Sequence, residues 1–265
     1  MSRRVLITGA GSGLGQALAT RFAAAGDRVL VTDVDEVSGK AAAAALGQPY
    51  QPLDVTSDES WEAARAWCEA EWGGLDVLVN NAGVGAGGRM EKVSMADWDW
   101  IIEINLKGVV RGCRTFIPVF KGQGSGHLVN VASLAAVMKL PAMASYNVTK
   151  AGVLALSETL RYELEPYGIG TTVVCPAFFP TNLNDRLRSP DTAAAQLSVK
   201  LMQSSNLTAE QVASQVYDAV AARRFLVLTR GEAVRAARLK RLFPRLVDAQ
   251  VRKYWARLRP RLDRE

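Results

Sequence analysis

The chain has 265 residues, 49% of them hydrophobic and 22% charged, with a net charge of +6 at pH 7. That length and balance suit one large α/β domain, and no apolar run reaches the roughly 18 residues of a membrane span. A single histidine, His127, and three scattered cysteines, Cys68, Cys113 and Cys175, exclude a histidine-built metal centre or a Ser-His-Asp relay within one chain. Proton transfer must use another side chain. The thiols read as reduced and buried, and Met1 to Arg4 lead directly into a strand without room for a signal peptide. A cytoplasmic location is therefore expected.

Arg4 to Thr8 reads as a buried strand, Gly9 to Gly15 as a glycine-rich turn, and Gln16 to Ala25 as a helix. Gly26-Asp27 stops that helix before a second strand, Arg28 to Asp33. In this βαβ context glycines let the backbone approach a pyrophosphate at a helix amino terminus, where free N–H groups and a partial positive charge await it. Asp33 ends the second strand about 20 residues after the turn, where a carboxylate accepts from ribose hydroxyls and repels a 2′-phosphate. Asp35 and Glu36 add to the acidity. The cofactor expected is NAD(H) rather than NADP(H).

Ser57 is placed to cap a helix over Asp58 to Trp72, with Trp61, Trp67 and Cys68 facing inward. A strand over Leu75 to Val79 ends in Asn80-Asn81-Ala82-Gly83, and a small loop covers 84–89. One long helix is expected from Ala96 to Phe120, carrying Asn105. The run His127 to Ala132 is a buried strand whose carboxyl end presents Ser133 to a cleft. Tyr146 and Lys150 stand at i and i+4, one turn apart on one helix face. A phenol has a free pKa of about 10 and needs a fixed cation nearby to trade protons near neutral pH; Lys150 is that cation. A sixth strand, Ile169 to Cys175, leads into Pro176-Ala177-Phe178-Phe179. Met138, Leu140, Met143, Phe178 and Phe179 either line an apolar substrate pocket or pack as ordinary loop residues.

Thr8 to Gly15, Asn80 to Gly83, Asn105, Ser133, Tyr146 and Lys150 together resemble the short-chain dehydrogenase/reductase family in its compact branch, over residues 4 to 182. The glycine spacing, Thr-Gly-x-x-x-Gly-x-Gly, differs from the extended branch, whose middle glycine is replaced here by Ser12. The resemblance implies a doubly wound parallel sheet and NAD(H)-linked interconversion of an alcohol, expected to be secondary and apolar, with its ketone. It also implies catalytic roles for Asn105, Ser133, Tyr146 and Lys150, with Asn105 supporting a proton relay. Cofactor contacts implied are Gly9, Ser12, Gly13, Leu14 and Gly15 at the turn, Asp33 and Asp54 with Val55, Asn81 with Ala82 and Gly83, Tyr146 and Lys150 themselves, and Pro176 with Thr181. The family commonly has Pro-Gly where this chain has Pro176-Ala177, so a shifted loop is expected there. A homotetramer or dimer is implied too. The competing readings are an NADP(H)-dependent ketone reductase and a non-catalytic dinucleotide sensor; Asp33 argues against the first and the complete catalytic set against the second.

Residues 185–207 have the character of a substrate lid, and Thr208 caps a helix from Ala209 to Arg223 before a last strand, Phe225 to Leu228. A catalytic unit over 1–229 and a basic helical extension over 230–265 are expected. From Arg223 onward there are 14 Lys/Arg against 4 Asp/Glu, a net +10, whereas the preceding 222 residues carry a net −4. Leu239, Leu242, Phe243, Leu246, Val247, Val251, Tyr254, Trp255 and Leu258 recur at helical spacing, and Pro244 divides them into two helices. This stripe packs on the pocket or a neighbouring subunit with its arginines in water, or else it lies on an anionic membrane. Specific nucleic-acid binding is not expected.

Overall fold

The computed structural model describes residues 2–180, 187–229 and 231–264. Its sheet holds seven parallel strands, β1 (Arg4–Thr8), β2 (Arg28–Asp33), β3 (Tyr50–Pro52), β4 (Val77–Asn80), β5 (Gly126–Val131), β6 (Ile169–Cys175) and β7 (Leu226–Leu228), in the order β3-β2-β1-β4-β5-β6-β7. The strands are near-continuous apolar runs because both faces are covered. Val5, Ile7, Val29 and Val31 point to one face and meet Phe22 and Val216. Leu6, Leu30 and Leu78 point to the other and meet Trp61, Phe116 and Phe120. The order reverses direction between β1 and β4, and the crevice at their carboxyl ends is where such a sheet binds ligands.

Helices α1 (Gly13–Ala24), α2 (Glu36–Leu46) and α3 (Asp58–Trp72) connect the first strands. The first begins at Gly13, three residues earlier than the sequence predicts, because Gly9 and Gly13 take the positive φ values of 63° and 54° that turn the chain directly into it. Asp58–Trp72 and its Ser57 cap match expectation, Ser57 Oγ accepting from Ser60 N at 3.0 Å. Trp61 and Cys68 are buried, while Trp67 is only partly so, stacking edge-on against Trp72.

The expected unbroken helix from Ala96 to Phe120 is three pieces: α4 (Met95–Ile102), a π-helical turn (Glu103–Lys107) and α5 (Gly108–Gln123). One extra residue per turn rotates Asn105 inward, where it is fully buried; such insertions recur at functional sites. After β5 come α6 (Ala135–Met138) and α7 (Ala144–Leu164), joined by a loop in which Lys139 and Ala142 hold left-handed φ values of 54° and 58°. Beyond β6 lie α8 (Thr192–Gln203) and α9 (Ala209–Ala221), the latter opening on a Thr208–Gln211 capping box.

The basic extension forms α10 (Gly231–Leu242) and α11 (Pro244–Leu262), with Pro244 at the first turn as expected. Leu258 and Leu262 are buried against Ala194, with Tyr254 and Trp255 alongside. Arg89 ties three elements together: it donates to the buried Asp191 at 2.9 Å, to Leu262 O at 2.7 Å and to Asp263 Oδ1 at 3.0 Å. The Arg89 guanidinium holds the Asp191 carboxyl below its usual range against the opposing effect of burial. Much of the stripe thus packs on the chain's own body.

Gly15 fits the fold because a Cβ there would stand 2.0 Å from Gly9 O and 2.6 Å from Asn81 Nδ2. The obstacle is backbone, which cannot swing aside. Gly15→Ala is therefore expected to destabilise the chain by more than about 2 kcal/mol, measured as a lower denaturation midpoint; an unchanged midpoint would contradict this packing.

Candidate active site

A cleft of about 1230 Å³ runs along the carboxyl ends of the strands. At its first end, the amino terminus of α1 has no side-chain cap, since Ser12 makes none, leaving its leading N–H groups for a ligand. Gly11 N donates to Asp33 Oδ2 at 2.9 Å, and a Cβ on Gly11 would collide with that oxygen and with Ser38 Oγ. Gly11 and Ser38 were not among the residues singled out from sequence, although Gly11 sat within the glycine turn. Ser12, Gly13, Leu14, Gly15, Asp54 and Val55 all border this end. Asp54 Oδ1 accepts from Thr56 N and Oγ1 at 2.9 and 2.8 Å, and Val55 O accepts from the indole of Trp61 at 3.2 Å.

Asn80 to Gly83 joins this end to the chemical centre. Asn80 Nδ2 donates to Asn130 Oδ1 at 2.9 Å, and Asn130 Nδ2 to Ser157 Oγ at 3.0 Å, so the sheet is braced from within. Asn81 Nδ2 bonds Thr8 O at 2.8 Å and Gly9 O at 3.2 Å, while Thr8 Oγ1 accepts from the N–H groups of Asn81 and Ala82. The glycine turn and the β4 end are thus one rigid cradle, shaped for a dinucleotide.

The four expected catalytic residues converge at the middle. Tyr146 and Lys150 share one face of α7, the Nζ lying 5.9 Å from the phenol ring centre. Lys150 Nζ donates to Val131 O at 3.0 Å. Asn105 exchanges two hydrogen bonds with Val84, accepting from its N–H and donating to its carbonyl, each 2.8 Å. A side chain at Gly83 would lie 3.1 Å from Asn105 Oδ1 and 3.5 Å from Lys150 Nζ. The glycine keeps open a polar space shared by both. Ser133 lies beside the Tyr146 phenol, close enough to lower its pKa, and its Oγ accepts from Ala135 N at 3.1 Å.

The electrostatics differ from the sequence expectation in one respect. Burial pushes the Tyr146 phenol above its ordinary pKa, and the neighbouring Ser133 hydroxyl only partly opposes it. Burial also brings Lys150 down to about 8. Desolvation penalises any charge here, so in the protein alone Lys150 does not make Tyr146 a ready phenolate. His127 takes no part: it sits at the other end of β5, bonded to Thr172 Oγ1 at 2.8 Å, and burial lowers it to about 4. Cys68, Cys113 and Cys175 are buried and pushed up to about 12.

Toward the outer end, Met138, Leu140, Met143, Phe178, Phe179 and Pro176 all border the cleft. Phe179 also packs into the core beneath it. Trp100, Ile104, Leu187, Met202 and Ala236 border it too; from sequence they read as helix or lid positions, and only folding brings them together. Ala177 has no positive φ, so the loop here avoids the left-handed geometry a glycine would allow, and its N–H donates to Thr229 Oγ1 at 3.1 Å. Thr181 lies outside the described residues.

A dinucleotide cradle meeting a Ser-Tyr-Lys centre on a seven-stranded parallel sheet defines an oxidoreductase class. Residues 3–192 match the short chain dehydrogenase family, and the chain belongs to it. It is 39% identical over 186 residues to the probable oxidoreductase EphD of Mycobacterium tuberculosis, covering 68% of this chain but only 31% of that relative's length. It is 33% identical over 226 residues to the 2-(R)-hydroxypropyl-CoM dehydrogenase of Xanthobacter autotrophicus, covering 82% of this chain and 90% of the other. A short chain dehydrogenase/reductase from Burkholderia phymatum, solved in complex with NAD, superposes with a TM-score of 0.87 at 33% identity, over 92% of this chain and 95% of that one.

Proposed function

We propose that the chain interconverts an apolar secondary alcohol and its ketone with NAD(H). The observation that carries the cofactor choice is the acidic end of the cleft. Asp33, Asp35 and Asp54 border it, and among the described lining residues Lys150 is the one cation, far along the cleft at the catalytic centre. Three carboxylates disfavour a 2′-phosphate, and Asp33 is placed to accept from the ribose hydroxyls. The apolar walls of the outer end support the substrate class, and the named dehydrogenase of a hydroxypropyl compound supports CH–OH chemistry.

The nicotinamide cofactor, when bound, would supply a hydride acceptor for the carbinol carbon and a positive charge beside Tyr146. Ser133 Oγ holds the substrate oxygen, and Tyr146 Oη takes the hydroxyl proton in oxidation and returns it in reduction. Lys150 binds the ribose hydroxyls and stabilises the phenolate. Asn105 supports relay of the proton outward through the space beside Gly83. Gly9 to Gly15 would hold the pyrophosphate, Asn81 to Gly83 and Pro176 would flank the nicotinamide half, and Asp54 with Val55 would meet the adenine. Residues 1–229 carry this machinery and 230–265 form its extension.

The assembly is a cytoplasmic homotetramer or dimer built through α4, α5 and α7, the helices around Asn105 and Tyr146, on which Met95, Val148 and Tyr162 are exposed. Light scattering of the purified chain tests this, a monomer at micromolar concentration counting against it.

The cofactor test is an initial-rate screen over apolar secondary alcohols with NAD and NADP in parallel. We expect kcat/KM with NAD to exceed that with NADP by about 100-fold, or ~2.7 kcal/mol, and Asp33→Ser to shrink the ratio at least tenfold. A preference for NADP would sink the Asp33 argument.

A further inference from the structure

The apolar stripe of the basic extension is divided by the fold. Its later members Val247 and Leu258 are buried, as is Leu262 one turn beyond, but Leu242, Phe243 and Leu246 stand 67%, 55% and 57% exposed at the elbow between α10 and α11. These three are among the most open large apolar side chains described, and they are contiguous: Leu246 N bonds Phe243 O at 3.1 Å. Arg238, Arg241 and Arg245 flank them, all exposed. Across the elbow, exposed Lys139 adds a further positive charge near Lys240, with exposed Asp248 the carboxylate that opposes it there.

From this geometry we infer that the α10–α11 elbow is a docking surface for an anionic lipid bilayer. A leucine–phenylalanine tip inside a ring of arginines is the chemistry that enters the headgroup–acyl boundary while its cations meet lipid phosphates. Charge complementarity selects a lipid surface over a second copy: the rest of the elbow's surroundings would face the same ring of arginines across a two-fold contact. No described helix is long and apolar enough to cross a membrane, so the contact is peripheral. The position also gives the contact a use. Ala236 borders the cleft and lies six residues before Leu242 on α10, about 9 Å along the helix. Lys240 Nζ on the same helix donates to Val137 O and Met138 O of α6, whose Met138 borders the cleft. The elbow thus lies close along α10 to the apolar border of the cleft, which suits the apolar substrate of the proposed function; the docking itself stands without that reading.

The test is co-sedimentation of the full chain with vesicles of phosphatidylcholine alone or with phosphatidylglycerol added. NADH binding, followed by quenching of the tryptophan fluorescence, serves as the folding control. We expect sedimentation with the anionic vesicles only, weakened at least tenfold by Leu242→Ser/Phe243→Ser/Leu246→Ser and by Arg238→Glu/Arg241→Glu/Arg245→Glu, with NADH binding unchanged in both. Equal binding of the serine variant would reduce the contact to adhesion of any basic surface and overturn the proposal. So would failure to sediment at low salt, or a serine variant that instead lowers the mass in light scattering, which would mark the elbow as a subunit contact. None of these outcomes depends on turnover, so failure here and failure of the proposed reaction are separable.

Discussion

Tyr146→Phe is expected to lower kcat by about 10³-fold while leaving NADH binding within a few-fold of the parent chain. The substitution removes one hydroxyl and keeps the ring, which packs beside Val84, Ala86 and Ile101, so neither fold nor cradle should change. The pH profile sharpens the test. Burial raises the phenol above its ordinary value and Ser133 draws it back, so oxidation, which needs the phenolate, should gain rate as pH rises. Ser133→Ala removes the downward influence and should move that rising limb to higher pH. A Phe variant that keeps a tenth of the parent rate would require a different acid/base. A limb that stays in place in Ser133→Ala would mean that the serine does not tune the phenol.

Lys150→Met is expected to separate stability from activity. Burial lowers Lys150 to about 8 from an ordinary 10.5, so the native state disfavours the charged amine relative to the unfolded chain. The penalty is complete below pH 8, where both states are protonated, and it is relieved as pH rises toward 10.5, where both are neutral. Methionine fills similar space without charge but leaves Val131 O without its donor, which costs about 1 kcal/mol. The net expectation is a variant about 2 kcal/mol more stable at pH 7, an advantage that disappears by pH 10.5. Turnover should fall at least about 100-fold. Urea midpoints of the two proteins at several pH values decide the matter. A methionine variant that is less stable at pH 7, by a margin independent of pH, would show that this lysine is held more favourably than its burial implies.

Tyr146 and Lys150 are set partly by local sequence and partly by distant packing. Their i, i+4 spacing on one helix face is a local periodicity, and so are the strands Arg4–Thr8, Arg28–Asp33 and Ile169–Cys175, whose bounds match the sequence reading. The glycines of the first turn were legible for a related reason, since positive φ at Gly9 and Gly13 leaves a direct mark on residue choice. Pro244 likewise announced the break between the last two helices.

Other features depend on partners far away in the chain. The π turn at Glu103–Lys107 has no compositional mark; it exists because Asn105 bonds Val84, 21 residues earlier, and a regular helix would aim that amide elsewhere. The left-handed Ala142 is held by tertiary contact, its O accepting from Gly88 N at 2.8 Å. The clasp of Arg89 on Asp191 and Asp263 joins residues 102 and 174 positions apart. From sequence, a nearby lysine suggested a lowered tyrosine pKa, because spacing reveals charge but not desolvation. The sequence alone determined the strands, the glycine turn and which side chains can carry hydride-linked proton transfer, since these rest on φ preference and short-range periodicity. Only the tertiary structure decided which of them are buried enough to resist ionising, and which half of the basic stripe stays open to its surroundings, because burial is a property of the packed chain.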